Sequence, residues 1–99
     1  MPWIAVKVAI TRWLSDDPQP GIVAAELWDI HGHCWHFNGK QAHFEITDLD
    51  AHSRYPHPGM ILCRVLDRRE NPDGGEIVRV ELDIGDVVEV SSSQMAEIG

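Results

Sequence analysis

The stretch Trp3-Ile4-Ala5-Val6-Lys7-Val8-Ala9-Ile10-Thr11 decides the fold class. Ile4, Val6, Val8 and Ile10 alternate with Ala5, Lys7, Ala9 and Thr11, the two-residue period of a strand with one face on a core and the other toward water. A first strand over 3–14 follows. Asp16-Asp17-Pro18-Gln19-Pro20-Gly21 then turns the chain, because its two prolines lack the backbone donor that a ladder needs.

Ile22 to Ile30 has a helix-forming centre in Ala24-Ala25-Glu26-Leu27, yet it is short, lacks a terminating cap and runs into His31-Gly32 and the aromatic Cys34-Trp35-His36-Phe37. A second strand is the better reading. Asn38-Gly39 is the strongest hairpin signal in the chain, since both residues tolerate the positive φ of a type I′ turn. It predicts a third strand at 33–37 and a fourth at 40–46. Thr47 to Pro58 reads as a loop or a single helical turn, and Met60 to Asp67, apolar on both faces, as a central strand. Asn71-Pro72-Asp73-Gly74-Gly75 reverses the chain into Glu76–Leu82, and Val87–Val90 makes a last short strand. The expected class is mostly β, a small antiparallel barrel or two-sheet sandwich of six to seven strands with little helix. Residues 1–90 are expected as a single β domain and 91–99, opening on Ser91-Ser92-Ser93, as a flexible C-terminal tail.

The composition agrees with one globular domain: 99 residues, 43% hydrophobic and 24% charged, enough for a single core. Sixteen acidic residues against eight basic ones give a net charge of −8, the reverse of what displaces counterions from phosphates, so nucleic acid is not an expected partner. Residues 61–99 hold nine of the acids and four arginines. Such an acidic surface steers a basic protein partner or simply keeps the chain in solution. Cys34 and Cys63 are too few for a disulfide framework, which fits a reducing cytoplasm, and neither an export signal nor a membrane-spanning run is read.

No phosphate loop, HExxH or Gly-x-Ser-x-Gly motif is present, and no catalytic residue is assigned. The unusual feature is histidine, six in all, with His31, His33, His36 and His43 close together. Two-residue turns at His31-Gly32 and Asn38-Gly39 place Asp29, Cys34 and His43 in one row of the outer face, with His36 two residues along from Cys34. Opposed and diagonal Cβ atoms at about 5 and 7 Å let four such side chains reach one zinc or copper ion. A polar outer strand face needs no ion to exist, so the competing reading has no cofactor. The same registers put Ile22, Ala24, Trp28, Ile30, Trp35, Phe37, Ala42, Phe44 and Ile46 on the core face, with Trp28 against Trp35. Cys63, among Ile61, Leu62 and Val65, reads as a small inert core residue. In Tyr55-Pro56-His57-Pro58-Gly59 the prolines either hold Tyr55 and His57 outward as a partner-binding edge or only position the next strand. Arg64, Arg68 and Arg69, interleaved with acids, read as surface ion pairs.

Ser53-Arg54-Tyr55-Pro56-His57-Pro58-Gly59-Met60-Ile61-Leu62-Cys63-Arg64-Val65, followed by Asp67-Arg68-Arg69, resembles a segment of small uncharacterised bacterial proteins of this length. The resemblance implies a bacterial, stand-alone protein and carries no activity or site residue with it. The function expected is that of a non-enzymatic protein-binding module of inhibitor, immunity or adaptor type with an acidic surface. The rival is a metal-binding protein or small metal-dependent enzyme using the Cys/His cluster, and a third reading is a homodimer built by strand pairing.

Overall fold

The computed structural model describes residues 3–19 and 21–98. Met1, Pro2, Pro20 and Gly99, which the sequence reading put at the start of the domain, in the first turn and at the end of the tail, lie outside the described residues. Among the described residues seven strands follow one another: β1 (Trp3–Ser15), β2 (Ile22–Trp28), β3 (Cys34–Lys40), β4 (His57–Glu70), β5 (Glu76–Leu82), β6 (Val87–Ser91) and β7 (Met95–Ile98). Single 3₁₀ turns lie at Gln41–Phe44 and Ser92–Gln94. Among the described residues no helix is long and apolar enough to cross a membrane.

All pairing is antiparallel, in the order β3-β2-β1-β4-β5-β6, and the sheet curls into a half-barrel. Two three-stranded meanders thus meet along β1 and β4. Both strands are long and bulged, β1 between Ile10 and Arg12 and again between Trp13 and Ser15, β4 between Val65 and Asp67. A bulge adds local twist and bend, which lets one strand follow the curl instead of leaving the sheet flat. Val6, Val8 and Ile10 of β1 face Val23, Ala25 and Leu27 of β2, Ile61 of β4, Val78, Val80 and Leu82 of β5, and Val88 and Val90 of β6 across one buried core.

The segment expected as a loose tail is ordered into the sheet. Ser91 caps the second 3₁₀ turn, with Ser93 N–H donating to its hydroxyl and Gln94 Oε1 accepting from its own N–H. β7 then pairs Trp3–Val6 of β1, on the edge that β2 occupies farther along. The serine triplet is a cap, not a frayed end.

The hairpin expected at Asn38-Gly39 is absent. β3 runs through both residues to Lys40, with Val23 opposite Gly39 and Ile22 opposite Lys40. Asn-Gly permits positive φ but does not compel it, and Gly39 is not among the glycines that adopt it. The reversal comes later: a 3₁₀ turn replaces the expected fourth strand and ends at Glu45 in the left-handed region (φ 59°). Residues three apart eclipse in a 3₁₀ turn, so Gln41 and Phe44 point inward together. Phe44 is buried in the core, and the Gln41 amide accepts from Leu49 N–H at 2.9 Å and donates to Leu49 C=O at 3.2 Å. A buried amide thereby pairs the following loop as a strand would.

The connection between β2 and β3 differs as well. It takes five residues, not two, and pairs Trp28 with Cys34 and Leu27 with Trp35. One residue of slip turns each side chain to the opposite face. Val23, Ala25 and Leu27 are therefore buried, while Trp28, expected in the core against Trp35, is 59% exposed. Ile22, Ala24, Ile30, Trp35 and Ile46 are only half-buried and Ala42 is exposed, so of the expected core face Phe37 and Phe44 alone are fully enclosed.

Candidate functional site

The five-residue loop is organised by Asp29. Its Oδ1 accepts from His31 N–H and His33 N–H, both at 2.9 Å, and its Oδ2 accepts from Trp35 Nε1 at 2.9 Å. Partial burial opposes ionisation, but these three donors together with His31 hold the carboxyl below its usual range. Gly32 takes φ 78° and closes the turn onto Asp29 C=O. His33 packs edge-on against Trp35, ring centroids 5.1 Å apart.

The loop also reaches the far strand. Ile30 N–H donates to Glu89 C=O of β6, His31 Nε2 lies 2.8 Å from Glu89 Oε1, and Arg69 pairs with the same carboxylate. Gln94 Nε2 donates to Trp28 C=O at 2.7 Å. Arg69 first and His31 second hold the Glu89 carboxyl down at about 2. Arg64 and Arg68 pair with Glu81 and Glu76. The three arginines are thus partnered to carboxylates in the manner expected of surface ion pairs.

The open edge of the sheet lies on the other side of this hairpin. Asp29 N–H bonds His33 C=O at one end of the β2–β3 ladder and Gln41 N–H bonds Gly21 C=O at the other. Antiparallel hydrogen-bonded pairs recur every second residue, so Trp35, Phe37 and Gly39 bond β2 while the N–H and C=O of Cys34, His36 and Asn38 face away from it. Among the described residues β3 pairs with β2 and with no other strand. Trp28 stands exposed on the outer face directly across from Cys34.

That outer face also brings together Glu26, Cys34 and His36, whose ligand atoms all lie within 4.8 Å of one another. Glu26 is opposite His36, and Cys34 is two residues along on the same face. Both cross-strand pairs are of the non-hydrogen-bonded kind, in which facing side chains approach most closely. Of the four residues expected to share an ion, the structure brings together Cys34 and His36. Asp29 is committed to its loop, and His43 sits on the 3₁₀ turn, where its Nδ1 is the atom nearest the space beside Gly39. The expected row of Asp29, Cys34 and His43 rested on both turn registers and does not form. Glu26 escaped the sequence reading because it lay on the wrong face there; a one-residue shift of the strand pairing is the signal that finds it.

Partial burial first, then the Glu26 carboxylate, raise the Cys34 thiol. Cys63 lines a pocket of about 400 Å³ with Leu62, Arg64, Glu81 and Leu82, and burial pushes its thiol up to about 11. A thiol so raised is protonated and unreactive at neutral pH. Tyr55, expected on a displayed edge, packs its ring against the core and donates its hydroxyl to Asp50 C=O at 2.7 Å. His57 is half-buried, with Nδ1 2.7 Å from Pro58 C=O.

No family model, no curated protein and no solved structure matches this chain.

Proposed function

We propose that this chain is a non-enzymatic protein-binding module whose partner adds an extended segment to the open edge of β3. The observation that supports this reading is the unpaired edge itself, with the donors and acceptors of Cys34, His36 and Asn38 turned outward beside the exposed Trp28. An unprotected edge is a liability in a free protein and a template for a partner strand. Natural edges are blunted by proline, lysine, bulges or a covering loop. β3 carries no proline or bulge, and its one lysine, Lys40, sits at the far end. The other terminal strand, β6, is covered at Glu89 by the 29–33 loop. Trp28 supplies the large apolar contact that dominates many interfaces. The net charge of −8 favours a basic partner on approach.

The test is affinity capture from the source cell with the full chain, run beside Asn38→Pro. Proline at 38 removes an outward N–H and leaves the β2 ladder intact, a position where edge strands tolerate it. The variant should keep stability within about 1 kcal/mol of the parent, whereas Phe37→Pro, which deletes both a ladder bond and a buried aromatic side chain, should lose more than about 3 kcal/mol. The expected result is a partner held by the parent, lost with Asn38→Pro, and slowing amide exchange at Cys34, His36 and Asn38 in the reconstituted complex. Recovery of no partner, or equal recovery with Asn38→Pro, overturns the reading.

A further inference from the structure

Three side chains on the outer faces of β2 and β3 converge, with His36 and Glu26 at ion-pair distance from each other. Among the described residues neither the Glu26 carboxylate, the Cys34 sulfur nor the His36 ring makes a hydrogen bond. His36 Nδ1 and Glu26 Oε1 stand 3.7 Å apart, beyond hydrogen-bond length. That spacing has another meaning. Ligand atoms bound tetrahedrally at about 2.0–2.3 Å from a zinc ion are separated by roughly 3.3–3.8 Å, the edge of the tetrahedron. The His36 and Glu26 atoms, 3.7 Å apart, stand within about half an ångström of the roughly 3.3–3.5 Å edge that nitrogen and oxygen ligands of zinc take, and all three ligand atoms lie within 4.8 Å of one another. Separations of up to 4.8 Å must close by about 1–1.5 Å, within the reach of rotamer changes in exposed side chains, and the His36 and Glu26 side chains are 70% and 36% exposed. The strand pairing beneath them is fixed by the β2–β3 ladder, so the three Cα positions are preorganised.

We propose that Glu26, Cys34 and His36 form a zinc site on the outer face of the β2–β3 hairpin, with the fourth position open to solvent or an external ligand. One thiolate, one imidazole and one carboxylate make a borderline donor set that suits zinc. Three protein ligands with one open position is the coordination of an accessible site, not of a closed structural one. The proposal is independent of the strand-addition reading, because it is tested on the isolated chain.

The experiment uses the full chain purified without an affinity tag or chelator. Zinc titration by calorimetry should give one ion per chain, and cobalt substitution should give a thiolate-to-cobalt charge-transfer band with the intense visible bands of tetrahedral coordination. Cys34→Ser should abolish the charge-transfer band, and His36→Ala and Glu26→Gln should each weaken zinc about tenfold or more. Cys63→Ser and His43→Gln should leave binding unchanged. A measurement free of substitution accompanies these: zinc should protect Cys34, and not Cys63, from alkylation in the parent chain. A charge-transfer band that survives Cys34→Ser, alkylation of Cys34 at the same rate with and without zinc, or selective uptake of cuprous ion with zinc excluded would each overturn the assignment.

Discussion

Two glycines show how single residues meet the fold. Gly59 of β4 lies opposite Val8, and a Cβ there would stand 2.9 Å from Ile10 Cδ1 and 3.1 Å from its Cγ1, with the Phe44 carbonyl oxygen 3.4 Å away. Ile10 is fully buried and has nowhere to retreat. Gly59→Ala should therefore cost about 1–3 kcal/mol, the usual penalty of overpacking. At Gly39 the nearest atoms to a Cβ are His43 Nδ1 at 3.5 Å and Phe44 ring carbons at 3.7 and 3.8 Å, ordinary contacts in extended backbone. Gly39→Ala should be neutral or stabilise by about 0.4–1 kcal/mol, since alanine restricts the unfolded chain. Urea midpoints of the two variants check this directly. A strongly destabilised Gly39→Ala would restore the turn that the sequence suggested at Asn38-Gly39.

Elements were legible where a strand's apolar period stood alone. β1 was expected over 3–14 and runs to Ser15, and β5 was expected and found at Glu76–Leu82. The misread elements have their causes in side chains that bond backbone at a distance. The Asp29 carboxylate builds a five-residue loop that no dipeptide signal announces, and the Gln41 amide binds Leu49 to close the segment after β3. The C-terminal strand was missed because three serines look like a linker, whereas one of them caps a turn. Ending the chain at Gln94 removes β7 and takes the pairing partner from Trp3–Val6 together with the half-buried Met95. Lost ladder bonds and apolar burial together should lower stability by roughly 2–4 kcal/mol. Chemical denaturation of the shortened chain reads this out, and an unchanged midpoint would mean that β7 contributes nothing.

At the scale of the whole molecule, the half-barrel is tied across its ends by Glu89, which holds Arg69, His31 and, through its carbonyl, Ile30 N–H. Its carboxyl falls from the ordinary 4.5 to about 2 on folding. A depressed folded pKa contributes stability that is fully present above the unfolded value and is lost as pH falls toward the folded one. The parent should therefore lose more stability than Glu89→Gln between pH 4.5 and 2, and the gap between them, widest near neutrality, should close at the acid end. Equal pH slopes in thermal melts would remove this tie from the account. Cys34 and His36, two of the three residues of the candidate site, were also visible in the chain, while Glu26 was not, because the face a strand residue takes depends on a register set elsewhere. The sequence by itself determined the β class and the strands whose alternation is unbroken, since a two-residue period is a local property, while the total of seven strands agrees because β7 stands in for the expected strand at 40–46. Which face of β2 meets the core, where β3 ends, and which three side chains converge beside its open edge were decided only by tertiary structure. The reason is physical: pairing register and chain reversal are selected by what they bury, here Leu27 in place of Trp28 and Phe44 beneath the 3₁₀ turn, and burial belongs to the assembled sheet.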